Sequence, residues 1–261
     1  MLTYNVHRCV GIDGRLSPQR IGEVIASCRP DIVALQEIDV RRSRSRGVDQ
    51  AQWIARQLGM DVHFHPVMDT TDELYGDAIL TSLPSRLVKA GVLPKLPSRR
   101  RLEPRGALWV SVAVDRAEIQ LLNTHLGLNC HERLAHVEAL LGPEWLGNDL
   151  GREPVIVLGD FNAFPGSRVY GRLASRLRDA RQLSPSARPG ATFPALLPLL
   201  RIDHVFVNRF IEVIEARTLR HSAARTASDH VPLYVDFRVV LPADQTPDHK
   251  DPNRGLPSVR R

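Results

Sequence analysis

Paired cysteines, long apolar runs and biased tracts are all missing from this chain of 261 residues. Its cysteines, Cys9, Cys28 and Cys130, are odd in number and form no C-x-x-C pair. That excludes a disulfide framework, a thiolate zinc site and a dithiol redox centre; free thiols in a reducing, cytoplasmic compartment are expected instead. The longest apolar stretch, Ala195 to Leu200, is interrupted by Pro198 and falls far short of the roughly 18–20 residues that a membrane-spanning helix needs. The segment from Met1 to Arg8 has no apolar core or small-residue cleavage site, so no secretory leader is expected. No repeat or low-complexity tract is present. No helical segment sets an apolar face beside a basic one, so no amphipathic surface helix is expected.

What is there is ordinary globular material. Hydrophobic residues make up 43% and charged residues 25%, with 35 Lys+Arg against 29 Asp+Glu and a net charge of +6, which argues against disorder, collagen and coiled coil. Leu2 to Val6 reads as a strand. Ser17-Pro18 opens a helix with Ile21, Val24 and Ile25 on one face, ended before Pro30. Asp31 to Glu37 reads as a strand stopping at a carboxylate, and Gln50 to Leu58 as a helix. Ala78 to Thr81, Leu108 to Val114 and Glu118 to Thr124 read as strands, and His131 to Leu146 as a helix. Val155 to Leu158 is a short buried strand, and Ile202 to Val207 and Val231 to Phe237 are β-rich. This interleaving suggests one monomeric domain over residues 1–241. The proline-rich tail over residues 242–261 is expected to be disordered.

Polar groups cluster where the apolar strands end: Asn5, Glu37, His125, the pair Asp160 and Asn162, and the pair Asp229 and His230. Carboxylates with an asparagine and no thiolate form a hard, oxygen-rich set that suits Mg²⁺, or Mn²⁺ in its place. Histidines beside such a set can move a proton near neutrality. Each element has a plainer explanation when taken alone. Asn5 fits a turn, Glu37 an exposed loop carboxylate, His125 a satisfied histidine, Gly159-Asp160-Phe161-Asn162 a tight turn, and Asp203 and Asp229 caps or surface charges.

Taken in order, seven short motifs outweigh those explanations: Thr3-Tyr4-Asn5, Leu35-Gln36-Glu37, Gly76-Asp77-Ala78-Ile79-Leu80, Asn123-Thr124-His125, Gly159-Asp160-Phe161-Asn162, Ile202-Asp203-His204 and Ser228-Asp229-His230-Val231-Pro232. The series resembles the endonuclease/exonuclease/phosphatase superfamily, which includes DNase I, abasic-site endonucleases, inositol polyphosphate 5-phosphatases and neutral sphingomyelinases. The resemblance implies an α/β (α+β) fold, a four-layer α/β/β/α sandwich with a metal site at one end of two mixed sheets. It implies Glu37 as principal Mg²⁺ ligand with Asn5 and Asp229, and Asp160 and Asn162 orienting water and phosphate. It implies His230 as catalytic histidine held by Asp203. His125 stands where abasic-site endonucleases carry tyrosine, which turns the resemblance away from that branch. Asp77 is expected to face substrate or to orient His125, and either histidine to protonate the leaving oxygen.

The substrate is less legible. The runs Arg41-Arg42-Ser43-Arg44-Ser45-Arg46 and Arg99-Arg100-Arg101, with Arg105, fit solvated loops better than a nucleic-acid surface, because no aromatics are interleaved for stacking. Thr192-Phe193-Pro194, Gly47-Val48-Asp49-Gln50 and His125-Leu126-Gly127-Leu128 through Glu132-Arg133 resemble a bacterial branch, some relatives of which are linked with phospholipid or glycolipid-anchor metabolism. The expectation is a metal-dependent phosphoesterase acting on phosphodiesters, with lipid head groups or small diesters ahead of DNA. The alternatives are a DNase I-like non-specific nuclease and a catalytically silent binding module.

Overall fold

The computed structural model describes residues 1–70, 73–96, 102–185 and 190–240, with the side chains at 69 and 70 excepted. The Arg99-Arg100-Arg101 run and the tail over residues 242–261 lie outside the described residues.

Two six-stranded mixed sheets form the centre. The first has the order β11 (Ile211–Thr218), β12 (Leu233–Val239), β1 (Leu2–Asn5), β2 (Ile32–Val40), β4 (Glu73–Thr81), β3 (Asp61–Thr70). The second has the order β5 (Ser85–Val92), β6 (Gly106–Val114), β7 (Ala117–His125), β8 (Val155–Asp160), β10 (Asp203–Val207), β9 (Arg178–Asp179). Each sheet has one parallel pair, β1 with β2 and β7 with β8, flanked by antiparallel neighbours. A parallel pair needs a crossover, and here helices α1 (Pro18–Ala26) and α3 (Cys130–Leu140) lie in those connections.

Three apolar layers hold the sandwich. Alternation along β2 sends Ile32 and Ala34 between the sheets, where they meet Val110, Leu121 and Ile156. Val33 and Leu35 face the other way, onto Ile21, Ile25 and Ile54 of α1 and of α2 (Gln50–Leu58). On the far side, Leu122 and Val157 pack against Val137, Leu140, Val169 and Leu173 of α3 and of α4 (Arg168–Ala174). The four-layer arrangement is therefore present. Ser17 and Asp49 cap α1 and α2 through their side chains.

Some boundaries differ from the sequence expectation. β2 does not stop at Glu37 but continues to Val40. α3 ends at Leu140 and not at Leu146, because Gly142-Pro143 breaks the helix. Strands β3 and β11 carry polar residues and, in β3, Pro66, so their alternation is weak in sequence.

Candidate active site

Both parallel pairs deliver polar side chains to one end of the sandwich, and the antiparallel strands β10 and β12 start there. In the second sheet His125 is in register with Asp160, and Asp160 with Asp203, giving one polar row across three strands. Gly159 permits this row: its φ is +139°, and a Cβ there would lie 1.9 Å from the Thr124 carbonyl oxygen. In the first sheet the register with β4 shifts between Leu35 and Ile38, and Glu37 adopts φ +60° in that irregularity. The bulge re-aims its carboxylate. Asn162 is also left-handed, at φ +48°, held by its N–H donating to Asp160 Oδ1 at 2.9 Å and its Nδ2 to the Leu126 carbonyl at 2.9 Å.

Asp160 Oδ2 is the point of convergence. Asn5 Nδ2 donates to it at 3.0 Å and to Glu37 Oε1 at 3.0 Å. His125 Nε2 lies 3.5 Å from it and His230 Nε2 3.7 Å. His230 Nδ1 donates to Asp203 Oδ2 at 2.8 Å, which fixes the ring's orientation. Asp229 sits one step away. Its carboxylate lies 3.3 Å from Ser228 Oγ and faces His7 Nδ1 at 3.9 Å, while the Ser228 hydroxyl donates to the Asn5 carbonyl at 2.8 Å.

Arg105 occupies the other face of His125, with Nη1 3.0 Å from Nδ1. Guanidinium has no acceptor, so Nδ1 must present its lone pair and the ring proton lies on Nε2. That proton points toward Asp160. The Asn162 amide, 3.2 Å from Nε2, is then a neighbour and not a donor. Asp77 is buried, and its carboxylate accepts the His125 main-chain N–H. Asp77 thus meets the main chain at the end of β7, whereas Arg105 meets the ring.

The two histidines are biased in opposite directions. Burial alone would depress His230, but Asp203 and then Asp160 outweigh it and set its pKa at about 10. Burial, with Arg105 and His230 adding to it, holds His125 well below the ordinary histidine value. Burial and the nearby Asp203 charge raise Asp160 to about 7, and burial raises Asp77 to about 8. Environments that drive neighbouring groups apart in this way are what acid–base chemistry requires.

A cavity of about 420 Å³ opens over these groups. Arg8 and Tyr75 in its lining carry no mark in the sequence, whereas Phe193, from the Thr192-Phe193-Pro194 motif, sets its ring centroid 4.9 Å from that of His230. Arg44, also in the lining, is not merely solvated: buried Asp39 grips it at 2.8 and 2.7 Å, and it lies over the Tyr75 ring. The signal for Arg44 was present in the basic run, but its buried partner Asp39 carries no local mark. Below the site, Gln36 Nε2 donates to Asn123 Oδ1 at 2.7 Å, and Asn123 Nδ2 to the Leu35 and Ala78 carbonyls, tying the sheets together.

For a cation, ligand atoms of Asp160, Asp203 and His230 lie within 4.8 Å of one another. His230 Nδ1 engages Asp203 Oδ2 and leaves Asp203 Oδ1 buried without a hydrogen-bond partner, while Glu37 and Asp160 converge on one donor, Asn5. A donor set of carboxylate oxygens and imidazole fits a hard divalent ion.

The whole-chain comparisons agree with this architecture. YbhP of Escherichia coli K12, an uncharacterized protein, is 24% identical over 253 residues, covering 92% of this chain and 96% of YbhP. The mannosyl-6-phosphatase Bt3783 of Bacteroides thetaiotaomicron superposes with a TM-score of 0.73 at 22% identity, over 91% of this chain and 98% of that one. The human Nocturnin catalytic domain superposes with a TM-score of 0.68 at 23% identity, over 92% of each chain. At these identities the likeness shows the fold. The family model described as Endonuclease/Exonuclease/phosphatase family matches residues 2–230, a span that takes in every strand-end group from Asn5 to His230, and the chain belongs to that family of phosphoester hydrolases.

Proposed function

We propose that the protein is a Mg²⁺-dependent phosphoesterase that hydrolyses phosphodiesters by in-line attack of water, acting on small diesters or lipid head groups ahead of DNA. The observation that carries this reading is the convergence of an imidazolium, His230, and a neutral imidazole, His125, on one carboxylate oxygen of Asp160. Glu37, Asn5 and Asp229 would hold the cation, which would offset charge on the phosphate oxygens.

In this reading Asp160 and the Asn162 amide orient the attacking water, and Asp160 accepts its proton as the new P–O bond forms. His230, fixed by Asp203, carries the transferable proton and passes it to the departing ester oxygen as the old P–O bond breaks. His125 offers its Nε2–H to a phosphoryl oxygen, a donor in place before the charge develops. A cavity of about 420 Å³ is of small-ligand size. Free Cys9, Cys28 and Cys130 support a reducing, cytoplasmic compartment.

The test is hydrolysis of bis(p-nitrophenyl) phosphate with Mg²⁺, against EDTA and Asn162→Ala. Turnover should vanish in both controls. Equal turnover in all three would end this reading.

A further inference from the structure

One surface feature is unused by this chemistry. Between Phe193 and Leu200 the chain forms a loop closed by reciprocal main-chain hydrogen bonds, Phe193 N–H to the Leu200 carbonyl at 3.0 Å and Leu200 N–H to the Phe193 carbonyl at 2.8 Å. Its base is tied to the catalytic strand connection: Ala195 N–H donates to the Asp229 carbonyl at 2.6 Å, and Val231 N–H to the Thr192 carbonyl at 2.8 Å. Above that base Leu196, Leu197, Leu199 and Leu200 expose between 47% and 70% of their surface. Leu128, 76% exposed, and Phe164, 58% exposed, follow His125 and Asn162 by a few residues at the same end of the sheets. Leu128 and Phe193 both line the catalytic cavity.

Exposed large aliphatics grouped at one functional edge mark an interaction surface. We propose that this loop seats the enzyme on an anionic lipid surface, with the leucines in the acyl region and the cavity mouth at head-group depth. The inference rests on the phosphoesterase reading above for what happens at that mouth. The shape favours a fluid partner: near-consecutive leucines, all well exposed, make a projecting tip rather than a flat complementary face. The charge fits as well. Arg8 lines the cavity, Arg133 donates to the Leu128 carbonyl, Arg168 is exposed shortly beyond Phe164, and the chain carries a net charge of +6. Apolar side chains beside basic ones are the combination that binds anionic interfaces. Nor does the composition of the undescribed segments offer a cover. Residues 97–101 and 186–189 hold no large aliphatic side chain, and 241–261 hold only the scattered Leu241, Leu256 and Val259.

The experiment is co-flotation of the full chain with vesicles of equal parts phosphatidylglycerol and phosphatidylcholine, with light scattering in parallel. Wild type and the inactive His230→Ala protein should float alike. Leu196→Ser/Leu197→Ser/Leu199→Ser should bind about tenfold less or weaker, and Leu199→Asp, a single change at an exposed site, guards against misfolding of the triple variant. Flotation needs no turnover, so it separates this proposal from the hydrolysis assay: wild type that floats but fails to hydrolyse the diester sinks only the phosphoesterase reading. Wild type that fails to float, leucine variants that float as well as wild type, or a wild-type dimer that these variants dissociate would overturn the docking proposal.

Discussion

Arg105 Nη1 lies 3.0 Å from His125 Nδ1, and this contact decides where the His125 proton resides. With Nδ1 occupied, only Nε2 can carry hydrogen in the neutral ring. Arg105→Ala should release the ring to a mixture of tautomers and lower kcat by about tenfold to a hundredfold, with Arg105→Lys recovering part of the loss. The ¹⁵N shifts of His125 read the tautomer directly. Unchanged shifts in Arg105→Ala would show that the guanidinium does not set it.

Asp203 should matter through His230. With a pKa of about 10, His230 stays protonated through neutrality, and activity that needs its proton is lost only as pH rises through that value. Asp203→Asn leaves burial unopposed by its strongest partner. The alkaline limb of kcat should then move to lower pH, and kcat should fall by about 10²–10⁴. A limb that stays in place in the variant would show that another group is being titrated.

Acid should destabilise the fold through buried neutral histidines. Burial lowers His204 and His136 to about 4 each, whereas the unfolded chain takes up these protons near 6.5. Their contribution is therefore complete above about pH 6.5 and is lost as pH falls from there toward 4, by up to about 3 kcal/mol per group. Thermal unfolding at pH 7 and pH 5 should show a lower Tm at pH 5, with a smaller difference in His204→Leu. A Tm independent of pH across this window would contradict the assignment.

Gly159→Ala tests the polar row. A methyl 1.9 Å from the Thr124 carbonyl oxygen, at a φ of +139°, forces β7 and β8 apart. A loss of about 3 kcal/mol or more is expected, read as a lower urea midpoint. A midpoint within error of wild type would mean that the strands can relax freely.

Supercoiled plasmid should remain intact with Mg²⁺ at enzyme concentrations that hydrolyse the small diester. Nicking that disappears in EDTA and in Asn162→Ala would reverse the order of substrates and make the basic loops a backbone-binding surface.

The sequence motifs and the geometry meet unevenly. Asn5, His125, Asp160 and His230 lie at strand ends or starts, where an apolar run stopping at a polar group is visible along the chain. Glu37 was found for its carboxylate, but its setting was not, because a bulge depends on the register with β4, which no local pattern encodes. Arg105 and Asp77 show the same limit. Both are marked as polar in a plain reading, yet their contact with His125 comes from strands β4, β6 and β7 being neighbours. The exposed leucines were visible only as a short run broken by Pro198, since alternation and helical period say nothing about a projecting loop.

The pairing of Leu2 with Tyr234 carries a consequence for how the protein comes into being on the ribosome. β1 emerges before all the other strands of both sheets, yet its antiparallel neighbour β12 is synthesised after all of them, close to Asp229 and His230. Until β12 inserts, the first sheet is split beside Asn5 and His230 is not yet part of the fold. Hydrolytic competence thus arises in one late step, and nascent chains stalled before that point should be inert.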